Sequence, residues 1–471
     1  MASIFGKLLK RRAISTSNAD QYAAIYAAAT QAATARDYER AVSMYDRALT
    51  LNPSPEAYYK RANCLKDLGQ LDAAIASYNQ AIEHKLDYAY AYCNRGVVQQ
   101  ALGLTSEALI SYDRSIALDP ADPIAHYNRA LLLQECSRWD EALESYERAI
   151  AVNPDYADAQ FNRSLAWLFR GEFERGWRGY EWRWKNAARL GIGELKQFTQ
   201  PLWLGLESVA GKRVLLHNEG GLGDTIQFCR YAPAVAAMGA TVYLEAQAPL
   251  LGLLSSLPGV SQLIASGGAL PEFEYHCPLM SLPLACKTTL ETIPAPRRYL
   301  RSTPQHVARW RARLPQRARK RIGLAWSGNS KNRLDRHRSI RLAEWIAHLP
   351  AEFDYFCLQK DVRQEDRETL DSNPQIGCFD DEELDFVNTA AACDCMDIVI
   401  SVDTSVAHLS AALGRPTWIL LPFTPDWRWM AARDDSPWYP SAKLYRQSAA
   451  GDWSQLLARV AGDLRRELSA G

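Results

Sequence analysis

A residue pattern that returns every 34 positions constrains the first part of this chain more than any other feature. Tyr78, Tyr112, Tyr146 and Tyr180 fall at that step, as do Arg61, Arg95, Arg129 and Arg163, and Ala74, Ala108 and Ala142. Gly69, Gly103 and Gly171 keep it with Ser137 in the intervening slot, and Ile82, Ile116 and Ile150 follow, with Pro120 and Pro154 closing their units. A period of this length marks a stacked array, because one such unit cannot bury its apolar face alone. Each unit reads as two amphipathic helices, with a small residue at the turn and Asn-Pro or Asp-Pro ending the second helix. The segment around Tyr38, Ala41, Tyr45, Ala48 and Pro53 is one more unit, offset by a one-residue deletion. The spacing predicts about five units over residues 20–187, the last divergent, behind a short tail at 1–19.

In period and in the placement of small and aromatic positions these units resemble the tetratricopeptide repeat (TPR). Such a solenoid leaves a concave face suited to an extended peptide. Asn94, Asn128 and Asn162 form a column on the first helices of successive units. A side-chain amide donates and accepts, so a ladder of them can grip a peptide backbone; a solvated polar column is the alternative. The column resembles the asparagine ladder of O-GlcNAc transferases, with Lys60 in the preceding slot. The aromatic run Phe173, Trp177, Tyr180, Trp182 and Trp184 reads as a docking face for whatever follows.

With 471 residues, roughly three domains are expected. Lys+Arg and Asp+Glu are 54 each, which argues against a nucleic-acid partner. No apolar run is long enough for a membrane span, and the basic start MASIFGKLLKRR is too interrupted for a secretory signal. The 10 cysteines lack metal-ligand spacing and fit reduced thiols in a cytoplasmic protein.

After Pro201 the pattern becomes α/β. Segments 213–219, 241–246 and 262–266 read as strands, with helices at 224–238 and 250–257. A Pro-rich stretch at 278–304 and a basic one at 309–321 follow. A second alternation has strands at 321–328, 353–359, 376–379, 396–402 and 417–423, and a last helix at 452–468. The expected fold is therefore a helical solenoid followed by two α/β Rossmann-like domains, at 188–305 and 306–471, with a ligand at the carboxyl ends of facing strands.

Two loops carry the chemistry. Gly220, Gly221 and Gly223 make a turn that lets backbone amides approach a ligand, and Asp224 sits in the opening turn of the next helix. As a dinucleotide fingerprint the loop is defective, since Ile226 stands where the last glycine belongs. The second loop, from Asp403 through Thr404, Ser405 and His408, runs from a strand end into a helix whose free amides suit a phosphate. A helix cap for Asp224 and a core or capping role for His408 are the structural alternatives.

GLGD before a helix, and DTSVAHLSAALGRPT in the second α/β domain, resemble the bacterial heptosyltransferase family of GT-B glycosyltransferases over residues 205–460. Joined to the repeats, the layout resembles TPR-fused glycosyltransferases. The resemblance implies that Asp224 is the general base on an acceptor hydroxyl, and that Asp403 and Thr404, with Ser405 and His408 nearby, lie at the donor sugar and diphosphate. It also implies a cation for the donor phosphates, for which Lys331 and Arg338 are equal candidates. The implied activity is hexosyl- or heptosyl-type transfer from a nucleotide-sugar co-substrate, with no bound cofactor.

The chemistry needs a base and a seat for departing negative charge, both available without a metal. Asp380–Asp381 and Asp434–Asp435 read as loop carboxylates rather than a metal clamp. Trp427, Trp429, Trp438 and Tyr439 read as interdomain packing, with sugar stacking as the alternative, and Arg428 and Arg433 add positive charge there. The leading expectation is inverting, metal-independent transfer to a protein, such as a surface or flagellar one, captured on the TPR concave face. A glycan or lipid-linked acceptor with the repeats serving assembly, and a catalytically dead TPR scaffold, are the alternatives.

Overall fold

The computed structural model describes residues 2–187, 195–315, 319–329, 335–379 and 385–468, with side chains from residue 18 onward. Lys331 and the Asp380–Asp381 pair lie outside the described residues. The chain forms two compact units, residues 1–160 and 161–471.

The first unit is helical throughout. Its helices are α1 (Ala2–Thr34), α2 (Tyr38–Leu51), α3 (Pro55–Asp67), α4 (Leu71–His84), α5 (Ala89–Ala101), α6 (Thr105–Leu118), α7 (Pro123–Glu135) and α8 (Trp139–Val152). The stretch expected as a tail is the beginning of α1. Tyr45, Tyr78, Tyr112 and Tyr146, with Ala41, Ala74, Ala108 and Ala142, are fully buried between helices, as the period requires. The turn position is left-handed in every repeat: φ is 62° at Arg36, 74° at Gly69, 76° at Gly103 and 58° at Ser137. The three repeats after the first are also tied internally. Arg61, Arg95 and Arg129 donate to the hydroxyls of Ser77, Ser111 and Ser145 at 2.7, 3.1 and 2.7 Å.

The second unit opens inside α9 (Ala157–Arg170) and continues through α10 (Phe173–Tyr180) and a 3-10 turn at Glu181–Asn186. Its first sheet contains β1 (Arg213–His217), β2 (Thr241–Ala246), β3 (Val260–Ala265) and β4 (Tyr275–Pro278), all parallel, in the order β3-β2-β1-β4. Its second contains β5 (Arg321–Ala325), β6 (Asp354–Cys357), β7 (Ile376–Gly377), β8 (Ile398–Val402), β9 (Thr417–Leu421) and β10 (Ala442–Arg446), in the order β10-β9-β8-β5-β6-β7. These six strands are parallel too. In both sheets the winding reverses beside the first strand, between β1 and β4 and between β5 and β8. In doubly wound sheets ligands bind at the carboxyl ends of strands flanking that reversal.

Two local features depart from the sequence-based expectation. The helix expected from Asp224 to Met238 is α11 (Leu222–Phe228), a 3-10 turn at Cys229–Tyr231 and a further helix at Ala232–Ala237 that Pro233 starts. Strands β4 and β10 join the two sheets from stretches without a strand assignment. The basic stretch is divided: helix Pro304–Arg313 buries Trp310, and Arg321 begins β5.

Phe173, Trp177 and Tyr180 of the aromatic run form a docking face, whereas Trp182 and Trp184 are half-buried against their neighbours Lys185 and Arg183. Trp177 lies edge-on to Trp427 with ring centroids 5.3 Å apart and to Trp438 at 6.3 Å, and its indole N–H donates to the Thr288 carbonyl at 3.0 Å. Trp427, Trp429, Trp438 and Tyr439 are all buried, so they pack the unit rather than offer faces to a sugar.

Candidate functional site

The first loop follows β1. Gly220 has φ +69°, and a Cβ there would stand 2.6 Å from Asp224 Oδ2, so only glycine allows the carboxylate to fold back over the turn. Oδ2 of Asp224 accepts from the Gly221 amide at 2.8 Å, so the third residue of the helix reaches back to cap its start. Oδ1 makes an ion pair with Nη2 of Arg428.

Arg428 sits in a 3-10 turn, Trp427–Trp429, capped by Asp426. Its Nη1 donates to Asp426 Oδ1 at 2.9 Å, and its guanidinium lies 4.8 Å above the Trp427 ring. Burial would weaken its hold on the proton, but Asp426, Asp224, Tyr180 and Asp403 together keep it charged.

The second loop follows β8. Thr404 precedes α12 (Ser405–Ala412), and its hydroxyl lies 3.0 Å from that of Ser401. Asp403 Oδ1 is 3.6 Å from His408 Nε2, and Arg338 Nη1 donates to the Asp403 carbonyl at 2.8 Å. Burial alone would raise the Asp403 carboxyl; His408 and then Arg338 outweigh it and hold it down to about 2. His408 Nδ1 is 2.8 Å from the Tyr439 hydroxyl, and its ring stacks on Trp429 with centroids 5.4 Å apart. The first amides of α12, from Ser405 onward, have no acceptor within their own helix, as at any helix start.

The two loops meet. A Cβ at Gly223 would lie 3.0 Å from His408 Cδ2 and 3.6 Å from Ser405 Cα, so the opening turns of α11 and α12 are in contact. Arg338 stands over the same place. It bonds Asp335 Oδ1 at 3.2 Å, while Asp335 also pairs with Arg363 and accepts from Ser339 at 2.9 Å. A Cβ at Gly328, just past β5, would come within 2.6 Å of Arg338 Nη2. Arg338 thus spans the ends of β5 and β8, the reversal point of the larger sheet.

The sequence did not reveal the Asp224–Arg428 pair or a second charged cluster behind the first loop. Arg183, in the turn after α10, forms two hydrogen bonds of 2.9 Å to Glu219, and Glu219 also accepts from the Met280 amide at 3.0 Å. Both side chains are buried, and burial pushes the Glu219 carboxyl upward. Its position immediately before Gly220 is the one signal that could have singled it out. Arg433 lies apart, paired with Asp435 at 2.6 Å.

In the array, Asn94 Nδ2 donates to Tyr59 Oη at 2.9 Å and Asn63 Oδ1 at 3.0 Å, and Asn128 Nδ2 reaches Cys93 Sγ at 3.7 Å. These two amides therefore join successive repeats. Asn162 lies on α9 in the other unit. Among the described residues no cluster of three or more His, Cys, Asp or Glu side chains could hold a metal, and no helix is long and apolar enough to cross a membrane.

Models of the tetratricopeptide repeat match residues 62–103, 89–122 and 123–156, so the helical array is a TPR solenoid. Over 327 residues the chain is 26% identical to Protein FlbA of Caulobacter vibrioides, covering 63% of this chain and 53% of that protein. The chain thus spans about half the length of this curated relative. Among solved structures, MamA is 22% identical with a TM-score of 0.32, covering 34% of this chain and 95% of its own. YrrB, described as a TPR protein with an unusual peptide-binding site, is 22% identical with a TM-score of 0.30, covering 34% and 82%.

Proposed function

We propose that residues 205–460 transfer a sugar from a nucleotide-sugar donor to an acceptor hydroxyl, and that the TPR array captures a protein acceptor. One observation carries this reading. Two loops, each at the carboxyl end of its own parallel sheet, meet through Gly223 and His408 and present a carboxylate beside the free amides of a helix start.

In this reading the donor diphosphate rests on the opening amides of α12, with Arg338 and the ordered Asp403–His408 pair beside it. Asp224 takes the proton of the acceptor hydroxyl as its oxygen bonds to the anomeric carbon from the face opposite the diphosphate. The bond to the diphosphate oxygen breaks with its electron pair leaving on that oxygen, so the configuration inverts. The base contributes roughly 10²–10⁴-fold in rate, and charge stabilisation of the leaving group supplies much of the remainder.

Calorimetry with UDP, GDP, ADP and CMP tests the donor half of the reading. Heat with one of them supports it, and silence with all four favours a scaffold whose function is confined to its TPR face. Transfer from the matching labelled donor, with Asp224→Asn as control, tests the chemistry. Label retained on protein rather than glycan assigns the acceptor class.

A further inference from the structure

Arg428 holds two carboxylates that belong to different parts of the fold. Its Nη1 is fixed to Asp426 within its own turn, whereas Nη2 reaches Asp224 beyond β1. Its Nε is buried with no hydrogen-bond partner among the described residues. Asp224 is equally committed: Oδ2 accepts from the Gly221 amide and Oδ1 from Arg428. With both oxygens engaged, an incoming hydroxyl must share the carboxylate with Arg428. The contact between Gly223 and Ser405 brings this pair to the start of α12, and Asp403 contributes to the field on Arg428.

We propose that Arg428 exchanges partners, holding Asp224 while the site is empty and moving its Nη2 end to the donor diphosphate on binding, which frees the carboxylate. This rests on the nucleotide-sugar reading above. Asp426 keeps the guanidinium tethered, so the exchange needs a side-chain rotation rather than movement of the turn. A diphosphate carries more charge than one carboxylate and takes a guanidinium in a bidentate grip, so the exchange favours the ligand. The base is thereby released only when the leaving group is seated.

Linkage makes this testable by affinity alone, since a carboxylate that competes for Arg428 opposes nucleotide binding. The probe is whichever of UDP, GDP or ADP gives heat with the full chain, titrated into wild type, Asp224→Asn, Arg428→Gln and the double variant. We expect Asp224→Asn to tighten binding by about fivefold to twentyfold, Arg428→Gln to weaken it by about tenfold or more, and Asp224→Asn to have no effect once Arg428 is gone. Unchanged or weaker affinity in Asp224→Asn overturns the exchange. So does tightening that persists without Arg428, which would reflect only the loss of a like charge. Should Arg428→Gln fail to fold, Arg428→Lys serves in the cycle, with a smaller Asp224→Asn effect expected. No heat from any nucleotide with wild type instead sinks the underlying reading, a result distinct from nucleotide binding that ignores Asp224.

Discussion

Gly223 and His408 touch: a Cβ added at 223 would stand 3.0 Å from His408 Cδ2. His408 has little room to yield, being stacked on Trp429 and bonded to Tyr439. Gly223→Ala should therefore push the opening turns of α11 and α12 apart. We expect a stability loss of about 1–3 kcal/mol, together with weaker nucleotide binding. Thermal melts and calorimetry measure the two effects, and an alanine variant with wild-type melting would show the contact to be slack.

Arg183 and Glu219 form a buried ion pair, and removing one partner leaves the other charge stranded. Arg183→Gln should cost about 3–5 kcal/mol in urea unfolding of the second unit. Burial already raises the Glu219 carboxyl. A raised carboxyl contributes stability at low pH that is lost as pH climbs, so the variant's deficit should be smaller at pH 5 than at pH 8. A deficit independent of pH would mean that Glu219 finds another partner.

The repeats were legible because a single period sets their burial: Tyr78, Tyr112 and Tyr146 recur every 34 residues and all are fully buried. The serines that bond the arginine column, Ser77, Ser111 and Ser145, share that period, yet polar residues on amphipathic helices do not reveal their inward direction. The loops after β1 and β8 stood out through glycine and hydroxyl residues at strand ends. Arg428 reaches Asp224 across 204 positions, and no local pattern encodes so distant a partner. Strand β4 escaped because four residues ending in proline carry too few alternations to show a period.

Ser137 occupies the turn position that Gly69 and Gly103 fill in neighbouring repeats, with φ +58°. A side chain in that region is strained. Ser137→Gly should stabilise the array by about 0.5–1 kcal/mol, partly offset by the greater freedom of glycine in the unfolded chain. An unchanged or lower urea midpoint would mean that the serine compensates its own strain.

His217, at the end of β1, is buried against His276, with Nε2 and Nδ1 3.1 Å apart. Burial, then Lys196 and His276, lower its pKa from 6.5 to about 3. The folded protein therefore keeps this ring neutral where the unfolded chain protonates it. For a histidine lowered on folding, the unfolded state binds more protons between pH 3 and 6.5, so stability rises with pH across that window and levels off above it. The penalty at its acid end is on the order of 4 kcal/mol at most, because each tenfold loss of proton affinity is worth about 1.4 kcal/mol. His217→Gln can still offer an amide hydrogen to His276 but cannot take up a proton. Between pH 7 and 4.5 its urea midpoint should fall less steeply than that of wild type, although it starts lower through the changed packing. Parallel slopes would show that His217 is protonated in the folded state and that another group carries the acid sensitivity of this sheet.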